Sequence, residues 1–161
     1  MERLHELAGI IRRHAGDDAL IIGGPDAMLI TASTAAPAQQ IVYEPMLCVI
    51  LQGAKRTTLG AQSYAYRAGD YLVVSADLPV SGEVLEAPYA ALGVALDPAV
   101  IAELMREAGE IESDEAPGRA LKVSRMDDGL LDAVGRLVAL LDRPGDAPVL
   151  APMIRREIVW R

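Results

Sequence analysis

The sequence predicts a mainly β domain with flanking α-helices, an expectation carried by two textures along the chain. Between Leu20 and Leu96, short apolar runs alternate with Gly, Pro and Asp; helical periodicity appears only before and after this stretch. Many short strands spaced by turns indicate a β-sandwich or barrel, not βαβ units. At 161 residues, one domain with a sizeable core is expected, spanning 1–161, since two halves would each be thin. Phenylalanine is absent, so Leu, Val, Ile, Ala and Met must fill the core volume.

The first element, over 1–16, is a predicted helix. Leu4, Leu7, Ala8 and Ile11 share one stripe, and Gly16 stands where a C-terminal cap belongs. Over 20–96 the apolar runs are Met28 to Thr31, Met46 to Gln52, Tyr71 to Val74 and Ala90 to Leu96. Gly53, Gly60, Gly69-Asp70 and Asp77-Leu78-Pro79 read as turns between them. The run Met46 to Leu51 is apolar on both faces of a strand, so both sides should be covered.

Helices are expected over 97–161. Asp97 can cap the first and Pro98 suits its first position, ahead of a stripe of Val100, Ile101, Leu104, Met105 and Ala108 ended by Gly109. Glu110 to Arg119 reads as a polar connection. A second helix is expected from near Ser124, with Asp127 as a capping-box partner and a stripe of Leu130, Val134, Leu137 and Leu141. That stripe either packs on the chain's own barrel or seats against a second copy, as in a short antiparallel pair. From Pro152 to Arg161 the residues look like a helix still in progress, so the natural chain is expected to continue.

The formal net charge of −8 repels phosphate backbones, so these residues should not bind DNA themselves. The single cysteine, Cys48, rules out an intrachain disulfide or a CxxC zinc site. The charged start lacks a signal-peptide core and no apolar run is long enough to span a bilayer, so a cytoplasmic protein is expected.

Little in the sequence supports catalysis. The only histidines, His5 and His14, lie in the opening helix, nine residues apart and so on opposite sides of it. A shared metal is therefore not expected. Cys48 sits in an apolar strand without a neighbouring base, which favours a buried thiol over a nucleophile. Gly23-Gly24-Pro25 is a turn without the Lys-Ser/Thr of a phosphate loop. The pairs Glu83/Glu86 and Asp127/Asp128 read as solvated charge. No cofactor and no enzyme activity are expected. An apolar barrel with a few polar aromatics is the blend a small-molecule pocket needs, and Tyr43, Cys48, Tyr64, Tyr66 and Tyr71 are its candidate lining. Surface placement of half the tyrosines is the equal alternative.

The stretch from Tyr43 to Leu104 resembles the N-terminal domain of AraC-type transcriptional regulators (the AraC/XylS group). The matching residues are Tyr43-Glu44-Pro45, Cys48-Val49-Ile50-Leu51-Gln52-Gly53-Ala54-Lys55, Leu59-Gly60, Tyr64, Tyr66, Ala68-Gly69-Asp70-Tyr71-Leu72-Val73 and Ser75-Ala76-Asp77-Leu78-Pro79-Val80. Leu96-Asp97-Pro98 then leads into a helix, and Pro152-Met153-Ile154-Arg155-Arg156-Glu157-Ile158 looks like the segment preceding the family's DNA-binding region.

The resemblance implies a cupin-like (jelly-roll) β-barrel that binds a small-molecule effector or mediates dimerisation. It also implies a helix-turn-helix DNA-binding domain beyond residue 161. A homodimer through Leu130, Val134, Leu137 and Leu141 is the expected assembly. The alternatives are a stand-alone, metal-free cupin-like enzyme or binding protein for a small metabolite, and a pure dimerisation module.

Overall fold

A computed structural model describes residues 1–22, 27–109 and 119–161. The expected turn at Gly23-Gly24-Pro25 and most of the Glu110 to Arg119 connection lie outside the described residues.

The opening helix α1 (Glu2–Ala15) buries Leu4, Leu7, Ala8 and Ile11, the stripe expected of it. Its end is closed by Gly16 at φ 88, whose N–H donates to the Arg12 carbonyl at 2.9 Å. Seven strands follow: β1 (Ala19–Ile22), β2 (Ala27–Ala32), β3 (Ala36–Tyr43), β4 (Met46–Leu59), β5 (Gln62–Arg67), β6 (Asp70–Val74) and β7 (Leu78–Ala95). After α2 (Pro98–Ala108) come β8 (Leu121–Arg125), α3 (Asp128–Ala139), a 3₁₀ turn over Leu140–Asp142, and α4 (Ala147–Trp160).

The eight strands of the described residues form one antiparallel sheet, ordered β1-β2-β7-β4-β6-β8, with β3 on β7 and β5 on β4. The fold is mainly β with flanking helices, a cupin-like barrel. Its two longest strands hold it together. The first half of β4 pairs β6 and the last half of β7, while its second half pairs β5 and the first half of β7. Register slips between Ile50 and Lys55 mark the bend joining the halves.

Gly53 sits at that bend with φ 78, a conformation that is strained for residues with a Cβ. A Cβ there would also collide with the Glu86 carbonyl oxygen and lie 2.8 Å from that of Pro88. The sequence reading placed a turn at Gly53; instead the strand continues through it. The turn expected at Asp77-Leu78-Pro79 is corrected likewise, because Leu78 and Pro79 already belong to β7. Gly60, at φ 58, does turn the chain between β4 and β5.

Helix α3 begins after Asp127, whose carboxylate accepts from the Leu130 N–H at 2.7 Å. The expected start near Ser124 is overturned: Ser124 lies in β8, opposite Tyr71. At five residues with two apolar positions, Leu121 and Val123, β8 is too short for its alternation to stand out in the sequence.

Two apolar clusters use opposite faces of the same strands. Leu47, Val49 and Leu51 of β4, with Leu92 and Val94 of β7, face α1, α3 and α4. Met46, Cys48 and Ile50, with Tyr89 and Ala91, face the barrel interior. The double cover expected of Met46 to Leu51 is therefore present.

Helix α2 is attached differently. Asp97 caps it by accepting from the Ala99 N–H at 2.8 Å, yet none of its side chains is buried. It is tied to α4 by Arg156, which donates to Glu103 at 2.9 Å and Glu107 at 2.6 Å. No helix among the described residues is long and apolar enough to cross a membrane.

Replacing Gly53 with Ala should cost about 2–4 kcal/mol, against about 1–2 kcal/mol for Gly60→Ala, whose added methyl meets open space. Urea denaturation of both variants measures the contrast. Equal losses would mean that the bend does not depend on Gly53.

Candidate functional site

At the end of the barrel between β2 and β3 the interior opens into a cavity of about 360 Å³. Met28 and Ile30 of β2, Ile41 of β3 and Met46 of β4 supply its apolar wall, and Leu20 and Val42 stand on its rim. Leu20 and Val42 are 70% and 69% exposed, so the entrance has an apolar lip. Two charged side chains reach the wall: Lys55 and Glu44.

Beside the cavity three hydroxyls close on one another. Tyr43 Oη lies 3.2 Å from Thr57 Oγ1 and 3.4 Å from Tyr66 Oη, and Thr57 Oγ1 lies 2.6 Å from Tyr66 Oη. All three residues are buried, so each hydroxyl needs the others as partners. Burial pushes the Tyr66 phenol far above its ordinary range, and the neighbouring Tyr43 and Cys48 add to the rise while Thr57 opposes it. Tyr89 is raised by burial as well. The Cys48 thiol is pushed up to about 11 by burial, with the Lys55 charge pulling the other way. A thiol so held is protonated at neutral pH and chemically quiet.

The structure brings together four of the five residues expected to line a pocket. Tyr43, Cys48 and Tyr66 belong to the interior cluster, and Tyr64 packs against it. Of these, Tyr43 reaches the cavity wall. Tyr71 is on the other side of the sheet, packed with Val73 toward the helices, because alternate residues of β6 face opposite ways.

The expected dimerisation stripe is also placed inside the chain. Leu130, Val134 and Leu137 are buried in the helix-facing cluster, and Leu141 packs against its edge. A second copy could not use these side chains without opening that layer.

His5 is exposed. His14 Nε2 lies 2.7 Å from Asp142 Oδ1, tying α1 to the 3₁₀ turn. Among the described residues no three His, Cys, Asp or Glu side chains converge as metal ligands would.

Sequence reading missed Lys55, Thr57 and the β2 residues Met28 and Ile30 as site residues. For Lys55 and Thr57 the reason is parity. Counting in twos from Met46 puts Arg56 and Thr58 inside, but the register slips around Gly53 turn Lys55 and Thr57 inward. Arg56 faces out and pairs with Glu83 at 3.3 Å.

A barrel with an apolar-walled cavity at its mouth and helices packed on its outside defines a cupin-like fold. Residues 25–161 match the family described as AraC-type transcriptional regulator N-terminus. The chain belongs to that family. Similar solved structures include ToxT from Vibrio cholerae. Its apo form (a variant of strain SCE256) has 9% identity and a TM-score of 0.54, over 72% of this chain and 48% of that one. Wild-type ToxT with bound unsaturated fatty acid has 9% identity and a TM-score of 0.52, over 84% and 49%. ToxT of strain O395 bound to (E)-4-(8-methylnaphthalen-1-yl)but-3-enoic acid has 10% identity and a TM-score of 0.53, over 71% and 48%. At such identities the likeness is one of fold, and the chain spans about half the length of these ToxT chains. No curated protein matches the chain.

Replacing Thr57 with Val removes one partner from a closed hydroxyl set and should cost about 1–3 kcal/mol in denaturant unfolding. A neutral effect would mean the tyrosine hydroxyls find other partners. Alkaline stability gives a second check. An unfolded thiol ionises near 9.0 whereas folded Cys48 does so near 11. Its contribution is thus fully present below pH 9 and is lost as pH rises through 11, in the same sense as the raised tyrosines. A Cys48→Ser variant should show a shallower decline over that window.

Proposed function

We propose that this chain is the effector-sensing part of a transcription regulator, taking a small apolar molecule into the barrel cavity and passing its occupancy to a helix-turn-helix domain beyond Arg161. The observation that carries this reading is the 360 Å³ apolar-walled cavity in a chain of a regulator family, a size in the range of small-molecule sites. Two ToxT structures of the same fold hold organic acids, which supports a similar use of this barrel. The net charge of −8 leaves DNA contacts to other segments. No enzymatic role is proposed: both histidines are outside the barrel and Cys48 is a raised, buried thiol.

The coupling is a population shift, in which an occupied cavity favours one arrangement of the flanking helices. The cavity wall includes Ala95, which also lines a small cleft with Asp97 and Arg156 between α2 and α4. Occupancy is thereby one residue away from the C-terminal helices. A homodimer belongs to the same reading. With Leu130, Val134 and Leu137 buried, the outer face of α4 offers an exposed apolar surface for it, where Val149, Met153 and Trp160 are each more than half exposed.

Screening the chain against neutral and charged apolar compounds by thermal shift tests the cavity. Binders should raise Tm with concentration, and Ile30→Trp, which fills the wall, should abolish the effect. Binding that survives Ile30→Trp would place the ligand elsewhere. For the dimer, sedimentation of Met153→Glu should give folded monomers, whereas Leu137→Glu should chiefly destabilise the fold. An intact Met153→Glu dimer would move the interface off α4.

A further inference from the structure

Lys55 is the side chain in this cavity that the fold does not account for. Its ammonium sits 5.6 Å from the centre of the Tyr43 ring, and among the described residues it has no ion pair or hydrogen bond. A cation over a ring face is partly compensated, and half-buried Lys55 leaves its ammonium open to solvent at the cavity, its three donors available to a ligand. Its strand neighbour Arg56 faces outward and has Glu83. Glu44, the other charge on the wall, is exposed and makes no ion pair with Lys55.

The surroundings make room for this cation. A Cβ on Gly82 would lie 2.9 Å from Ile41 Cδ1 and 3.2 Å from Lys55 Cε, so glycine at that position of β7 leaves room for both the Ile41 and the Lys55 side chains. The Tyr43 ring beneath it is pinned through its hydroxyl to Thr57 and Tyr66. Those hydroxyls already satisfy one another and have no need of a ligand. Recognition of a negative charge in the cavity therefore falls to Lys55, with exposed Glu44 of opposite sign on the wall, while Met28, Ile30 and Ile41 offer only apolar contact.

We propose that Lys55 anchors a negatively charged head group and that the cavity selects an organic monoanion with an apolar body, such as a medium-chain carboxylate. One cation neutralises one charge; a second carboxylate along the apolar wall would be desolvated without a partner. The inference rests on the cavity being the effector site, and it adds the charge and polarity of the ligand to that reading.

The test titrates the 161-residue chain calorimetrically with decanoate and with its uncharged methyl ester. Wild type should bind decanoate about ten- to a hundredfold more tightly than the ester, the range of a charge-assisted contact. Lys55→Met should lose that preference while binding the ester no more weakly, and Lys55→Arg should keep it. Unchanged melting of both variants shows that the fold persists. Equal affinity of wild type for acid and ester, or a preference that survives Lys55→Met, overturns the anchor. It does so without touching the cavity reading if Ile30→Trp still abolishes binding. Failure of both probes to bind overturns the monoanion assignment, and the neutral compounds of the thermal-shift screen then decide separately whether the cavity is a ligand site.

Discussion

The barrel depends on one steric constraint: β4 and β7 can serve both halves of the sheet only if β4 bends at Gly53. The backbone there takes a positive φ, and carbonyl oxygens of β7 approach where any side chain would begin. From this bend follow the register slips, and from the slips follows which residues of the second half of β4 look inward. Lys55 and Thr57 owe their place in the interior to a glycine that touches neither the cavity nor its polar groups.

The same strands divide the molecule chemically. On the helix-facing side, Leu47, Val49, Leu51, Leu92 and Val94 belong to one apolar cluster with side chains of α1, α3 and α4. The interior side mixes Met46, Cys48 and Ile50 with tyrosines, a threonine and a lysine. A wholly apolar interior would have been simpler to stabilise, since each buried hydroxyl must find a partner. Tyr43, Thr57 and Tyr66 meet that demand among themselves, which fixes the wall of the cavity without consuming the ammonium beside it.

Much of this was legible in the sequence where periodicity is strong. The α1 stripe, the Asp97 cap, the double-faced run from Met46 and the β texture between Leu20 and Leu96 all have local physical signatures. Membership in the AraC-type family was visible in the order of short motifs from Tyr43 to Leu104. What was not legible depends on distant residues. Gly53 reads as a turn because the carbonyls it makes way for are more than thirty residues away in the chain. Once that bend is misread, strict alternation assigns Lys55 to the surface. Strand β8 is five residues long and gains its place from pairing with β6, and the α3 stripe has the same spacing whether it faces its own barrel or another copy. Tyr71 was grouped with the pocket on residue type, which says nothing about the side of the sheet.

Helix α2 shows a different kind of dependence. It buries no side chain and is fastened to α4 by Arg156 gripping Glu103 and Glu107 at the solvent boundary. Exposed ion pairs are individually weak and are screened by salt, whereas the apolar contacts of α1 and α3 are not. The domain therefore has two grades of attachment. Its barrel and packed helices answer mainly to temperature and denaturant, and α2 answers first to ionic strength. A rise in salt loosens the outermost helix while the sheet beneath it keeps its shape, so the local environment can retune one end of the molecule without unfolding any of the rest.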